Sequence, residues 1–374
     1  MKGKIGLITI YHVPNFGSVL QAYATQELLC KLGYDCVVLQ YKYPNDWHYR
    51  QRNTRLSLKS RIGFLFGLRP VHRKANKLEK FRRKFFNFSR PYSNLDEMKA
   101  EDWGRYYALV VGSDQVWNAR FTLADSAFML SFIPDKVRKI SIASSFASKS
   151  LPVDVRDKYR KYLSRFNALS VREQNGLNII NQELGLDCNP AIVLDPTLLL
   201  SREEWLSLIP RSKFVRKKKY ILLYMLTYAF EPRPYIFEVL KYMSEKYDYD
   251  ILALEGYTPA DQAKGILMQD KTDSSISEFL DLFANADMVV TSSFHGTAFA
   301  VNFGVPLISI IPDGDGDDRQ SSLLRQIGLE NCIIPIGKDV EHIVPHYDNC
   351  IANARLTELR DKSINWIKES IHSH

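Results

Sequence analysis

The chain has 374 residues, of which 45% are hydrophobic, and this is more than one compact core usually holds, so two domains around a cleft are expected. Residues 5–10 are too short for a signal-peptide core, and no later stretch gives about 18 uninterrupted apolar residues, which predicts a cytoplasmic protein without a membrane span. The five cysteines form no C-x-x-C pair, which argues against a secreted disulfide framework and for ordinary buried thiols.

The net charge of +8 is concentrated in one segment. Residues 50–90 hold fourteen Lys or Arg and a single acid, Glu79, so the rest of the chain is net acidic. The apolar residues among them favour an amphipathic helical hairpin over a disordered tail. Its basic face is either simply solvated or in peripheral contact with an anionic membrane. A nucleic-acid partner is not expected, because no nucleic-acid motif accompanies the charge.

Strands and helices alternate along the first 200 residues, which predicts a parallel sheet. A strand at 4–10, a polar loop, a helix at 19–33 and a strand at 36–41 form the opening unit. After the basic segment, the pattern predicts strands at 106–113, 139–146, 168–173 and 191–200, with helices at 153–166 and 174–185.

A second cycle follows a linker at 207–219. Its predicted strands cover 220–226, 250–256, 287–292 and 307–312, with helices at 234–247 and 275–286 and an amphipathic helix at 356–371. We therefore predict an α/β protein of two Rossmann-like domains, residues 1–210 and 211–374, that face a cleft. The last helix is expected to pack back on the first domain.

The loop after the first strand is the first candidate for a binding site. In open parallel sheets, ligands collect beyond the carboxyl ends of the strands, where helix N-termini supply backbone N–H groups. This loop carries Asn15, Gly17 and Ser18 at the start of the first helix, where they can bind an anion or a sugar hydroxyl. The alternative is that Asn15 or Ser18 only caps the helix.

The segment 110–118 ends a buried strand and then presents Asp114, Gln115, Trp117 and Asn118. A carboxylate beside amide and indole groups suits the binding and deprotonation of a sugar hydroxyl. The alternative is a structural Asx turn with a core tryptophan.

Arg172 also follows a predicted strand. Its guanidinium can clamp a carboxylate or phosphate in a bidentate manner, and the alternative is a salt bridge to Glu173 or another nearby acid.

The acidic segment 312–320 begins like a calcium loop, but Asp318 and Leu324 occupy the positions of the required Gly and Glu. We therefore predict a solvated turn that carries Arg319 towards the cleft. No metal site is predicted, because the His and Cys residues of the chain lack ligand spacing.

His295 lies just after a predicted strand and immediately before Gly296 and Thr297, in the first turn of a helix that Gly304 ends. A helix N-terminus disfavours the imidazolium, so this histidine should tend towards neutrality and bind anions or move protons near pH 7. The alternative is a satisfied core histidine. The spacing alone does not name a reaction.

Several segments together resemble the polysaccharide pyruvyl transferase family. They occur in the order seen in that family, at residues 4–24, 110–118, 170–173, 193–200, 279–308 and 317–330. The resemblance spans about residues 3–330 and leaves out the basic segment.

This resemblance implies a GT-B-like fold and a reaction. The family transfers the pyruvyl unit of phosphoenolpyruvate to two hydroxyls of one sugar in a polysaccharide precursor, which forms a cyclic ketal and releases phosphate. It implies no tightly bound cofactor, and it implies phosphoenolpyruvate and a sugar or lipid-linked oligosaccharide as partners. The first domain is then the acceptor side and the second the donor side.

Roles follow from the resemblance residue by residue. His295 matches the functional histidine of the family, which acts as general acid or as phosphate ligand. Arg172 matches an arginine that clamps the donor. Asp114 matches the acid that binds or activates the acceptor. Many members carry an arginine two residues before the histidine, where this chain has Ser293. We expect Arg319 to replace part of that charge.

Backbone N–H groups of Gly296 and Thr297 are expected to assist Arg319 at the donor. Two other functions stay open: a GT-B-like glycosyltransferase that uses a nucleotide sugar, and a non-catalytic sugar-binding relative.

Overall fold

The structure is a computed structural model that describes residues 2–41, 67, 69–208, 218–255, 266–314 and 316–372. The predicted domain boundary near residue 210 and the part of the basic segment before residue 67 lie outside the described residues. We call residues 2–208 the first lobe and residues 218–342 the second lobe.

The strands of the described residues are, in chain order, β1 (Lys4–Ile8), β2 (Asp35–Tyr41), β3 (Phe88–Tyr92), β4 (Ala108–Val111), β5 (Arg138–Ser141), β6 (Ser170–Val171), β7 (Ala191–Ile192), β8 (Tyr220–Tyr224), β9 (Asp250–Glu255), β10 (Met268–Asp270), β11 (Met288–Thr291), β12 (Leu307–Ile311) and β13 (Ile333–Pro335). Their α-helices are α1 (Phe16–Lys31), α2 (Pro70–Phe85), α3 (Leu95–Lys99), α4 (Ala119–Thr122), α5 (Val153–Leu163), α6 (Gln174–Asn178), α7 (Pro196–Leu199), α8 (Arg202–Leu206), α9 (Tyr235–Tyr247), α10 (Ile276–Ala284), α11 (Phe294–Phe303), α12 (Arg319–Gln326) and α13 (Asn349–His372).

The first lobe is built on a parallel sheet with the strand order β3-β2-β1-β4-β5. Strand β4 is apolar throughout, and its residues alternate between two hydrophobic cores, one on each face of the sheet. Continuous apolar strands of this kind are typical of a parallel sheet covered on both faces. Because β1 and β4 are neighbours, the segments that follow them meet at one edge of the sheet.

The second lobe repeats this arrangement. Its parallel sheet has the order β10-β9-β8-β11-β12-β13, with β11 between β8 and β12. A central hydrophobic core lies between the two sheets and contains residues of α1 from the first lobe and of α10 and α11 from the second. These two parallel sheets confirm the predicted α/β architecture of two Rossmann-like lobes.

One predicted strand is wrong for most of its length. In place of a strand at 191–200, the structure has the two-residue strand β7 followed by α7, which begins at Pro196. The Asp195 side chain accepts a hydrogen bond from Thr197 N and caps this helix, and proline fits its first turn. Capping therefore outweighs the β propensity of the apolar run.

The strands β3, β10 and β13 were not predicted at all. They are three to five residues long, and two of them carry polar side chains. Each is an edge strand of its sheet and pairs with a single neighbouring strand. Short edge strands of this kind leave little periodicity in the sequence.

The last helix, α13, packs on α11 and α7 and ends against the first lobe. Arg138 Nε donates a hydrogen bond to the backbone oxygen of Ser370 at 2.8 Å. Close to the end of the helix, the Tyr34 hydroxyl lies 3.0 Å from His372 Nε2. Among the described residues, no helix combines the length and apolarity that crossing a membrane needs.

The described part of the basic segment forms α2. This helix lies between β2 and β3 of the first lobe in chain order, but two of its side chains form ion pairs with residues of the second lobe. Arg73 Nε lies 2.6 Å from Asp273 Oδ2, and Lys74 Nζ lies 2.6 Å from Glu255 Oε2. The Lys74 side chain is only 3% exposed. Both cations therefore join the lobes, and Lys74 is withdrawn from solvent, whereas Arg73 stays exposed on the helix surface.

Candidate active site

The helix α1 places its N-terminus at the carboxyl edge of the first sheet. Asn15 Oδ1 accepts a hydrogen bond from Ser18 N at 3.2 Å, so Asn15 caps the helix, as one of the two sequence interpretations held. Ser18 Oγ donates to Asp114 Oδ2 at 2.6 Å. The positive end of the helix dipole therefore lies beside this carboxylate.

Asp114 lies three residues after the end of β4 and has a left-handed backbone conformation, with φ 72°. Few residues other than glycine adopt this conformation, and aspartate tolerates it better than most. Its Oδ1 accepts from Gln115 N at 2.9 Å and its Oδ2 accepts from Ser18, so both oxygens are held. Backbone strain of this kind collects at functional sites.

His295 enters the site from the second lobe, in the first turn of α11. Ser293 caps this helix, because its side chain accepts a hydrogen bond from Gly296 N. His295 is 5% exposed, and its Nε2 has no hydrogen-bond partner among the described residues. Burial lowers the pKa of His295, although the nearby carboxylates of Asp195 and Asp114 act in the opposite direction.

The N-termini of α1 and α11 meet at Gly17. A Cβ placed on this glycine would lie 2.1 Å from His295 Nδ1, which no real pair of atoms tolerates. Gly17 therefore contributes space for the imidazole, and two helix N-termini with positive dipole ends converge on one point.

Asp195, which was not among the predicted site residues, lies at the centre of the buried charges. Its Oδ2 accepts from Ser113 Oγ at 2.7 Å and pairs with Arg172 Nη1 at 2.6 Å, and it lies 3.9 Å from His295 Nε2. Burial would raise the pKa of this carboxyl, but Arg172 and His295 outweigh burial and lower it to about 2. Asp195 is therefore a buried carboxylate that connects the two lobes.

Arg172 is fully enclosed by this cluster. Its Nη2 lies 3.6 Å from Asp114 Oδ1, and its Nε and Nη2 have no hydrogen-bond partner within the part of the chain that the structure describes. The guanidinium carbon also lies 4.3 Å from the centre of the Phe294 ring, a cation–π contact. Arg172 therefore forms a salt bridge to a nearby acid, Asp195, as the alternative interpretation held. Two of its nitrogen atoms, Nε and Nη2, are left without an acceptor among the described residues.

Glu173 is the next residue and is also fully buried. Its Oε1 accepts from Ser145 Oγ at 2.9 Å and from Phe146 N at 3.0 Å. Its Oε2 has no hydrogen-bond partner in the described ranges. Burial raises the pKa of Glu173 to about 7, with Arg172 acting against this and Asp318 adding to it.

Two cavities adjoin this cluster. An inner pocket of about 30 Å³ is lined by Asn15, Ser18, Asp114 and His295, among others. An outer cavity of about 390 Å³ is lined in part by Arg319. Three residues line both cavities and connect them: Gln115, Phe121 and Tyr228.

Arg319 begins α12 and is only 5% exposed, so it does not lie in the solvated turn that the sequence predicted. It lines the outer cavity and not the inner pocket, and its Nε donates to Asp317 Oδ1 at 2.8 Å. Burial opposes the charge of Arg319, but Asp317 holds its pKa above the usual value. Its charge is therefore already partly neutralised.

Trp117, which was predicted to contact the acceptor, lies in the core of the first lobe. Its side chain is fully buried, and its indole Nε1 donates to Phe128 O at 2.8 Å, as the core-tryptophan alternative held. Thr297 is fully buried as well, and its hydroxyl lies 2.8 Å from Ser309 Oγ. Gly296 provides space, because a Cβ there would lie 2.2 Å from Thr291 Oγ1.

Asn118 and Gln115 do reach the cavities. Asn118 caps α4 through its Oδ1, and its Nδ2 donates to Gln115 Oε1 at 2.9 Å. Gln115 Nε2 lies 3.4 Å from the Tyr228 hydroxyl of the second lobe. Tyr228 was not among the predicted site residues, although it lies two residues after the predicted strand 220–226, and a strand-end position is the signal that selected the other candidates.

Comparison with solved structures defines the class of fold. The UDP-GlcNAc 2-epimerase of Neisseria meningitidis gives a TM-score of 0.55 at 10% identity and covers 100% of both chains. The epimerase of Methanocaldococcus jannaschii gives a TM-score of 0.53 at 16% identity, covering 98% of this chain and 93% of that one. Identities this low show the fold alone, which is the predicted GT-B fold of two facing Rossmann-like lobes.

Comparison by sequence identifies the family. The sequence profile described as polysaccharide pyruvyl transferase matches residues 15–314, which is most of the chain. This chain therefore belongs to the polysaccharide pyruvyl transferase family. No protein with a curated description matches it significantly.

Proposed function

We propose that this protein transfers the pyruvyl group of phosphoenolpyruvate to two hydroxyls of one sugar in a polysaccharide precursor, forming a cyclic ketal and releasing phosphate. One observation carries the choice of donor. His295 Nε2 and Arg172 Nε and Nη2 are buried without hydrogen-bond partners among the described residues. Leaving such atoms unpaired is costly, and an anion with several oxygens can satisfy all three.

This chain has Ser293 where many family members have an arginine, and Arg172 is a candidate to supply the charge of that arginine. Arg172 belongs to the first lobe, but its guanidinium stacks on Phe294, which lies between Ser293 and His295. This placement supports Arg172 as the main source of positive charge at the donor. Arg319, which is paired with Asp317 and lines the outer cavity, is the weaker candidate.

His295 is proposed as the general acid. Its lowered pKa keeps the free imidazole neutral near pH 7, and a bound phosphate dianion would favour the imidazolium and raise this pKa again. The histidine would therefore gain its proton together with the donor. It then protonates the methylene carbon of phosphoenolpyruvate, which makes the neighbouring carbon electrophilic.

Asp114 is proposed as the general base. It takes the proton of the first sugar hydroxyl as that oxygen bonds to the electrophilic carbon. The bond to phosphate then breaks, the second hydroxyl closes the ring, and its proton leaves with the phosphate. His295 and Asp114 afterwards recover their starting states by exchange with solvent. The two positive helix ends that converge at Gly17 stabilise the anionic donor.

The test is phosphate release from phosphoenolpyruvate in the presence of a panel of sugar acceptors, with detection of the ketal by mass spectrometry. We expect release by the wild type and its loss in His295→Ala and in Arg172→Ala. His342→Ala is the matched control, because this histidine is 77% exposed and lies outside the site.

Two results would count against the proposal. Activity that survives both substitutions would remove His295 and Arg172 from the site. Thermal stabilisation by a nucleoside diphosphate and none by phosphoenolpyruvate would instead favour a glycosyltransferase that uses a nucleotide sugar.

A further inference from the structure

A second cavity of about 370 Å³ lies on the first lobe beside the outer cavity. Asn118, Arg120 and Ser148 line both of them. The outer cavity is in turn joined to the inner pocket at Gln115 and Tyr228. Shared lining residues therefore link the pocket at Asp114, through the outer cavity, with the second cavity, so space for further sugar units lies beyond the site of the reacting sugar.

The second cavity has a one-sided charge. Among the residues that the structure describes, its charged lining residues are Arg120 and Arg156, and none of its lining residues is acidic. Arg156 is already engaged, because its Nη2 lies 2.9 Å from Glu183 Oε2 and donates to Leu151 O. Arg120 is exposed, and its guanidinium makes no hydrogen bond or ion pair with the residues that the structure describes. Arg120 is therefore the cation available at the junction of the two cavities.

The rest of the lining suits a carbohydrate. Phe121 and Tyr228 pack edge to face with ring centres 5.7 Å apart beside the outer cavity. Aromatic surfaces of this kind pack against the C–H faces of sugar rings. Asn118 and Ser148 line both cavities, and their amide and hydroxyl groups can hydrogen-bond sugar hydroxyls.

We infer that the acceptor is an oligosaccharide with an anionic group, and that Arg120 binds this group where the two cavities meet. The inference rests on the proposed function, since it places the reacting sugar beside Asp114. The anionic oxygens come from the carboxylate of a uronic acid unit or from the pyrophosphate of a lipid carrier. A guanidinium binds either one through two parallel hydrogen bonds.

The experiment is a binding titration by calorimetry with three probes. Maltotriose is neutral, trigalacturonate carries carboxylates, and a disaccharide linked through pyrophosphate to a short prenyl chain represents the carrier. The wild type should bind at least one anionic probe about tenfold more tightly than maltotriose, because a charged hydrogen-bonded pair is added. Arg120→Gln should lose this preference and keep its affinity for maltotriose.

Arg202→Gln is the matched control, since Arg202 is an exposed arginine that lines neither cavity. It should keep the preference of the wild type. Preference for trigalacturonate assigns a uronic carboxylate, and preference for the prenyl probe assigns the carrier pyrophosphate.

Equal affinity of the wild type for all three probes, or no binding of either anionic probe, overturns the inference. An unchanged preference in Arg120→Gln overturns it as well. Because the titration needs no turnover, these failures are distinct from failure of the proposed function, which shows as absence of phosphate release.

Discussion

Gly17 and His295 belong to different lobes, yet the glycine Cα and the imidazole are so close that a methyl group on Gly17 would lie 2.1 Å from His295 Nδ1. The contact joins the first turn of α1 to the first turn of α11. A residue that has no side chain thus fixes how near the two halves of the site can come.

Gly17→Ala should lower kcat/KM roughly 100-fold, because the added methyl displaces the imidazole by about 1 Å from its working position. Steady-state phosphate release from phosphoenolpyruvate measures the change. Gly104→Ala is the control, since its Cβ would come no nearer than 3.2 Å to Asp102 Oδ1 in an exposed turn far from the cleft. Equal rates for the two variants would show that the Gly17 contact does not matter.

Asp195→Asn should lower kcat/KM and change its pH dependence. The amide keeps the shape of the side chain but leaves the buried Arg172 without its closest counter-charge, and it removes an interaction that raises the pKa of His295. With His295 as general acid, the high-pH limb of kcat/KM should therefore move to lower pH.

The control for this substitution is Asp125→Asn, which changes another buried carboxylate that accepts from Tyr41 and lies outside the cavities. A lower rate in Asp195→Asn with an unchanged pH profile would mean that Asp195 does not act through His295.

Glu173→Gln should remove a pH dependence of stability. The pKa of Glu173 is raised to about 7 from its ordinary 4.5, so the unfolded chain gives up this proton before the folded one does. Stability from this group is fully present below pH 4.5 and is lost as the pH rises through about 7. Relative to Glu173→Gln, the wild type should lose up to about 3 kcal/mol of unfolding free energy across this range.

Urea unfolding of both proteins at several pH values between 4.5 and 8 measures the difference. The glutamine can still accept from Ser145 and Phe146 through its oxygen, so the variant should fold. A difference between the two proteins that stays constant with pH would contradict the raised pKa of Glu173.

The pair of Lys74 and Glu255 should show strong coupling between the lobes. Lys74 is almost fully buried, and its ammonium also lies 4.5 Å from the centre of the Phe16 ring at the start of α1. A double-mutant cycle with Lys74→Met and Glu255→Gln should give a coupling energy above about 1 kcal/mol in urea unfolding. The same cycle on Lys362 and Glu358, which are both largely exposed, should give less than about 0.5 kcal/mol.

Sequence patterns could predict the alternation of strands and helices and the strand-end positions of Asp114, Arg172 and His295, because apolar runs and turn residues are local signals. They could not predict Asp195. Its partners Ser113 and His295 lie far away in the sequence, and the apolar run around it indicated a strand where capping produced a helix. Buried charge clusters depend on contacts that no local pattern records.

The positions of Trp117 and of Lys74 in the basic segment show a second limit of prediction from sequence. Composition indicates which side chains can bind a sugar or a membrane, but not whether the fold already uses them. Trp117 fills the core, and Lys74 pairs with a carboxylate of the other lobe. A sequence alone does not distinguish a free side chain from one that is engaged within the protein.

The small inner pocket sets a limit on the order of events in each catalytic cycle. About 30 Å³ holds roughly one water molecule, far less than a three-carbon phosphate ester occupies. Under the proposed function, we therefore expect the walls contributed by the two lobes to move apart before the substrates enter and to return before they react. Such a motion should make the rate of phosphate release depend on solvent viscosity, which a series of rate measurements in glycerol or sucrose would test.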